Sequence, residues 1–187
     1  MEFLDFIIQQ DKELLVYLNN LGNESWDTFW LAVTNKRTWI PLFAVLIYLI
    51  FKHFDTKKGF VLLLVIALLI TFTDQFSNLF KYSFERLRPC NDLTIADQLR
   101  ILKQSNSFSF FSAHAANSFG VTSFLFLLLR KHYKYLGLLF IWPFLFAYSR
   151  VYIGMHFPSD IFVGMIFGLI SGYIFYNVAL KILSRIQ

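Results

Sequence analysis

The stretch SRVYIGMHFPSDIFVGMIFGLISGYIFYNVALKIL, residues 149–183, carries two messages in one run of chain. From Ile161 to Leu183 it is almost wholly apolar. A helix rising ~1.5 Å per residue over that length crosses a hydrocarbon core of ~30 Å. Immediately before it stand Ser149, Arg150, His156 and Asp160, groups that a membrane helix does not need for insertion. Pro158 fits the first turn of that helix, which sets His156 just ahead of it and Asp160 inside its first turn. An imidazole four positions from a carboxylate can be hydrogen-bonded through one ring nitrogen. That fixes the tautomer and raises the nucleophilicity of the other nitrogen.

Working outward, four more segments are apolar enough to consider as spans: about Trp39 to Phe54, Gly59 to Phe80, His114 to Leu129 and Tyr135 to Tyr148. The second of these and the C-terminal one are long enough outright; the others extend into their flanks. Composition agrees, with 57% apolar and 20% aromatic residues against 16% charged, because a soluble domain of 187 residues would have to expose much of that apolar area to water. Residues 1–38 contain no apolar run of spanning length. Their Phe3, Phe6, Ile7, Leu14, Leu15, Leu18 and Leu21 alternate with charges in a helical period, as in amphipathic helices lying in the interface. The expected fold is therefore all-α: a polytopic membrane helix bundle of about five transmembrane helices at 39–183, preceded by interfacial helices at 1–38, the whole of 1–187 forming one membrane-embedded domain.

Alternate crossings put Lys52, Lys57, Lys58, Arg130, Lys131, Lys134, Lys181 and Arg185 on one side, which the positive-inside rule makes cytoplasmic. Trp26, Trp30 and Trp39 cluster near the opposite interface, as in an aromatic belt. The net charge of +5 is thus spent on topology. No basic stripe interleaved with aromatics runs along a polar face, so nucleic acid is excluded as a partner. Cys90 is the single cysteine, expected as a small buried thiol. The acidic beginning of the chain, with Glu2, Asp5, Asp11 and Glu13, lacks the basic n-region of a cleavable signal peptide. The long polar segment from Arg88 to Phe111 falls on the outer side, and a loop of that length in a bundle is expected to cover a substrate site.

Two further clusters fall on the same outer face. Asp74, Asn78 and Lys81 share one helix face at the end of the second span, and Lys81 is followed by Arg88 and Pro89. Ionisable groups at membrane depth cost ~2.5–3.5 kcal/mol and face the bundle interior or a wet cavity. An Asp74–Lys81 pair across two turns is one reading; Lys81 and Arg88 converging on a phosphate is the other. Ser112, Ala113 and His114 open the third span, where free backbone N–H groups and the positive dipole end form an anion site, with Ser112 as N-cap and phosphate donor. The histidines sort by side: His53 and His132 in basic inner loops, His114 and His156 at helix starts on the outer face. Either outer histidine alone reads as structural. Two of them with three cations and a carboxylate read as chemistry.

These sets resemble the signatures of the type-2 phosphatidic acid phosphatase superfamily over about residues 40–180. Lys81 with Arg88-Pro89 resembles K-x6-R-P, Ser112-Ala113-His114 resembles P-S-G-H, and Ser149-Arg150 with His156 and Asp160 resembles S-R-x5-H-x3-D. The second signature departs at Phe111, in place of Pro, and at Ala113, in place of Gly. The family usually has six spans, the first of which the N-terminal region replaces here.

The resemblance implies a phosphatase working through a phosphohistidine intermediate, with His156 attacking phosphorus, Asp160 orienting it and His114 protonating the leaving lipid oxygen. Lys81, Arg88, Ser112, Ala113 and Arg150 would bind the phosphate without a metal or other cofactor, since charge stabilisation and positioning are most of what phosphoryl transfer requires. The implied partners are the bilayer and a membrane lipid phosphate, reached sideways between helices. A bacterial inner (cytoplasmic) membrane location follows, with the active site facing the periplasm or cell exterior. Undecaprenyl diphosphate ranks first as substrate and the lipid A 1-phosphate second, with phosphatidylglycerol phosphate and phosphatidic acid also acted on in the family. A lipid phosphotransferase and a non-enzymatic lipid transporter are the competing classes.

Overall fold

Seven α-helices make up most of the computed structural model, which describes residues 2–186; Met1 and Gln187, the ends of the expected domain, lie outside the described residues. They are α1 (Glu2–Asn20), α2 (Glu24–Thr34), α3 (Ile40–His53), α4 (Thr56–Phe84), α5 (Ala113–Leu129), α6 (Ile141–Tyr152) and α7 (Pro158–Leu183). The amphipathic N-terminal region is two helices, broken at Gly22-Asn23. Each of the five apolar segments is a helix within a few residues of the expected bounds.

The ends have identifiable causes. Asp55 caps α4 by accepting a hydrogen bond from the Lys58 N–H at 2.9 Å, and Glu85 closes it in the left-handed region at φ 47°. The fourth segment differs most from expectation. Its first turn is a 3-10 helix, Leu136–Phe140, and the α-helix then continues to Tyr152, so Ser149 and Arg150 lie in its last turn rather than in a connecting loop. The chain meets no breaker until Gly154, whose φ of +74° L side chains rarely adopt.

The bundle is polytopic and built around α5, which is buried along most of its length. α4 and α7 are each long and apolar enough to cross a membrane alone, and both turn apolar side chains outward: Phe60, Leu64, Leu68, Phe162, Ile170 and Ile174 are exposed. Such faces suit lipid, not water. α7 approaches α5 through Gly164, Gly168 and Gly172, one per turn. A Cβ at Gly164 would come within 2.6 Å of the Ser112 carbonyl oxygen, so only glycine permits this spacing. The consequence reaches the rim of the bundle, where the Ser112 N–H donates to the Asp160 carbonyl at 3.1 Å and locks the starts of α5 and α7 together.

Candidate active site

At that rim the end of α4, the start of α5 and the α6–α7 turn converge. His156 lies in the turn, only 1% exposed, and both ring nitrogens have partners. Nδ1 is 3.3 Å from Asp160 Oδ2, and Nε2 is 3.1 Å from Arg88 Nη1. A guanidinium can only donate, so Nε2 must be the accepting nitrogen and the ring proton sits on Nδ1, facing the carboxylate. Burial pushes the imidazole pKa down to about 3, against the opposing pull of the Asp160 carboxylate. The lone pair on Nε2 is therefore available at neutral pH.

Asp160 is fully buried and heavily satisfied. It accepts from the Phe157 N–H at 3.0 Å, from Arg86 Nη1 at 2.8 Å and from the Ser109 hydroxyl, in addition to His156. Pro158 occupies the first turn of α7, as expected, and Asp160 caps the helix from within it. Arg88 is fixed as firmly: Nε donates to the Ser107 carbonyl at 2.8 Å, Nη2 to the Ser107 hydroxyl at 2.9 Å and Nη1 to the Met155 carbonyl at 2.9 Å. Arg150 is 4% exposed and donates from Nη1 to Thr34 at 2.8 Å, while its Nε is buried without a partner among the described residues. A buried donor left over in this way can take an anionic oxygen.

A cavity of about 470 Å³ opens from these groups, and Lys81, Arg88, Ala113, His114 and His156 line its upper end. Ala113 is the first residue of α5, so its N–H has no intrahelical acceptor. Ser112 is the N-cap, fully buried, its hydroxyl accepting from Ala115 N–H at 3.4 Å. Of the eight predicted site residues, five line the cavity; Ser112, Asp160 and Arg150 stand behind its wall. Lys81 makes no salt bridge with Asp74, so the simple Asp–Lys pair is not formed. Among the described residues no cluster of three His, Cys, Asp or Glu is placed to hold a metal ion. His53 and His132 stack on each other, ring centroids 4.0 Å apart; His132 lies in the turn after α5, as expected, whereas His53 is the last residue of α3 rather than a loop residue. Cys90 is a free, buried thiol packed with Tyr152, Ile153 and Met155.

Sequence reasoning missed the groups that support the site. Arg86 reaches Asp160, then Ser159 Oγ at 2.8 Å and Asp11 Oδ2 at 2.7 Å, with its guanidinium 3.9 Å above the Phe157 ring. Asp11, on α1, also accepts from the Ser159 N–H at 2.9 Å and from its hydroxyl. An N-terminal helix that appears merely amphipathic thus supplies a carboxylate to the rim. The segment from Arg88 to Phe111 contributes Ser107 and Ser109 as hydrogen-bond partners and is tied to α2 by the Arg100–Asp27 salt bridge at 2.8 Å. Arg86 was visible as a third cation beside Lys81 and Arg88; nothing local marks Asp11.

The family model of the PAP2 superfamily matches residues 58–183. A lipid A 4′-phosphatase of Bacteroides thetaiotaomicron is 38% identical over 98% of this chain and 83% of its own length, and one of Porphyromonas gingivalis is 29% identical over 97% and 78%. Among solved structures, a PAP2-type phosphatidylglycerolphosphate phosphatase from Bacillus subtilis superimposes with a TM-score of 0.74 over 97% of this chain and 89% of its own, at 22% identity. Aquifex aeolicus LpxE gives 0.66 over 88% and 93%, at 28% identity. The likeness therefore extends past residues 40–180 to take in α1 and α2. The expectation of undecaprenyl diphosphate as first substrate is overturned, since both sequence relatives are named for lipid A. The signatures could not make that distinction because they describe the phosphate end of the site, which all these lipids share.

Proposed function

The chain belongs to the PAP2 superfamily and is a phosphoester hydrolase, and from that premise we propose that it removes the 4′-phosphate of lipid A through a phosphohistidine on His156. The names of its two relatives, matched over nearly the whole chain, support the substrate. The observation that carries the mechanism is the double anchoring of the His156 ring, with Nδ1–H on Asp160 and Nε2 facing Arg88 at the cavity.

In this reading the lipid phosphate takes the upper end of the cavity, and Arg88 Nη1 exchanges Nε2 for a phosphate oxygen. Nε2 attacks phosphorus in line, the P–O bond to the lipid breaks, and His114 protonates the departing oxygen. Asp160 stabilises the imidazolium side of the adduct. Lys81, Arg88 and Arg150, with the Ala113 N–H and the Ser112 hydroxyl, bear the equatorial charge. His114, now neutral, takes a proton from water; the hydroxide attacks phosphorus and releases phosphate and His156. No step requires a metal. The basic inner loops support a bacterial inner-membrane setting with the site toward the periplasm, α1 and α2 lying in the outer interface as part of the same unit.

The test is bis-phosphorylated lipid A incubated with purified protein in detergent plus EDTA, with tandem mass spectrometry locating the lost phosphate. Loss from the 4′ position, absent in His156→Ala, is the expected result. Loss that depends on an added acceptor lipid indicates phosphotransfer. Undiminished loss in His156→Ala removes that residue from the reaction.

A further inference from the structure

The cavity does not stop at the phosphate end. Below Lys81 and His114 it runs inward between α3, α4 and α5 past Ile70, Ile66 and Leu63 on α4 and Leu46 and Ile50 on α3. From Lys81 to Leu63 that is ~27 Å along α4, close to the whole hydrocarbon thickness. Its continuity with the phosphate end commits it to one occupant, an acyl chain of the lipid whose phosphate is being removed.

One group does not fit a plain hydrocarbon slot. Asp74 lines this cavity, ~10 Å below Lys81 along α4. Among the described residues its carboxylate has no salt-bridge partner, and no hydrogen bond reaches it. Its level is set by the neighbouring Thr73 hydroxyl, which donates to Asn117 Oδ1 across to α5. That leaves the Asn117 amide hydrogens at the same height, and Asn117 also lines the cavity. Deeper, Trp142 lines it too, and its indole Nε1 is buried with no acceptor. An acceptor and two donors without hydrogen-bond partners, in walls that below the phosphate end are mostly Ile, Leu, Val and Phe, with Lys36 and Ser118 as the other polar lining groups, call for a ligand with its own polar atoms just below the phosphate.

We propose that Asp74 reads the lipid at the head of its acyl chain, its carboxylate accepting a hydrogen bond from an amide N–H or a hydroxyl carried there. Asn117 and Trp142 donate to the accompanying carbonyl or hydroxyl oxygen. A lipid with ester-linked chains or a bare polyprenyl tail brings no N–H or O–H to this level and leaves the Asp74 carboxyl without a donor. Asp74 is then a specificity-determining residue: it discriminates among lipids that the phosphate end treats alike. The proposal rests on the phosphatase reading above.

Chain-matched ceramide 1-phosphate, which has an amide and a hydroxyl, and phosphatidic acid, which has only esters, separate the two lipid classes in mixed micelles. Wild-type protein is expected to favour ceramide 1-phosphate by about tenfold or more in kcat/KM, the size of one hydrogen bond to a charged group. Asp74→Leu and Asp74→Ala should bring the ratio close to one, and Asp74→Asn should keep part of it because its side-chain oxygen still accepts. The 3-O-methyl ether of ceramide 1-phosphate tells the donors apart: full preference assigns the amide, loss assigns the hydroxyl. A wild-type ratio near one overturns the proposal whatever the variants do, as does a ratio that survives in Asp74→Leu or Asp74→Ala. Phosphate release without preference defeats only the role of Asp74; absence of release from these lipids and from lipid A defeats the phosphatase reading itself.

Discussion

Two helices begin at the same rim of the bundle with a histidine at or beside their first turn, α5 with His114 and α7 with His156, and the two rings are held in opposite ways. His156 is buried and gripped at both nitrogens, by Asp160 and by Arg88. His114 has no hydrogen-bond partner among the described residues, only the Phe146 ring 5.2 Å away and the open cavity in front. The difference matches the separate tasks proposed for the two rings. A nucleophile gains from being fixed in line with phosphorus before the substrate arrives, since orientation removes entropy from the barrier. A group that gives a proton to one oxygen and later takes one from water must adjust to two positions.

Breaking the gripped side should cost most. His156→Ala is expected to reduce phosphate release from lipid A by about 10⁴-fold or more, read as initial rate in detergent, because the step has no substitute nucleophile. His114→Asn should cost ~10²–10⁴-fold on the lipid but much less on p-nitrophenyl phosphate, whose leaving group needs no proton. An equal loss on both substrates would mean that His114 does not act as the acid. Arg86→Gln sharpens the comparison from behind: it leaves every cavity-lining group in place but removes a partner of Asp160, so kcat should fall by ~10–100-fold with KM little changed. A KM effect alone would place Arg86 with substrate binding instead.

The smallest expected effect concerns the packing that aligns the two helix starts. Gly164→Ala sets a Cβ 2.6 Å from the Ser112 carbonyl and should lower stability by ~1–3 kcal/mol, seen as a reduced Tm in detergent. Gly137→Ala, with nothing within 4 Å of the added carbon, is the control and should leave Tm unchanged.

How much of this could be read from the chain itself divides along the same line. The helices were legible because hydrophobic runs of membrane length have few alternatives, and the rim residues because Lys81, Arg88, Arg150, His156 and Asp160 stand next to helix ends where ionisable groups are expensive. The Pro158 and Asp160 positions were legible too, since helix starts are local. Asp11 was not, because its partners Arg86 and Ser159 are 75 and 148 residues away and an acid on an amphipathic helix ordinarily faces water. Ser149 and Arg150 fall outside the expected span, which ends at Tyr148, because polar residues after an apolar run look like a helix end, whereas the backbone turns only at Gly154. The lipid was not legible because the signatures describe only the phosphate end, whereas the cavity below it has walls drawn from α3, α4, α5 and α6 that come together only in the fold.

The central claim is that Nε2 of His156 carries the phosphoryl group. Single-turnover reaction of His114→Asn with p-nitrophenyl phosphate, quenched in alkali and followed by peptide mass spectrometry, examines it directly, because the fast leaving group loads the enzyme while the missing base slows hydrolysis. The account predicts an acid-labile, alkali-stable phosphate on the peptide containing His156, in step with the burst of nitrophenol. A burst with the phosphate on another residue, or turnover with no phosphopeptide at any time, would contradict it.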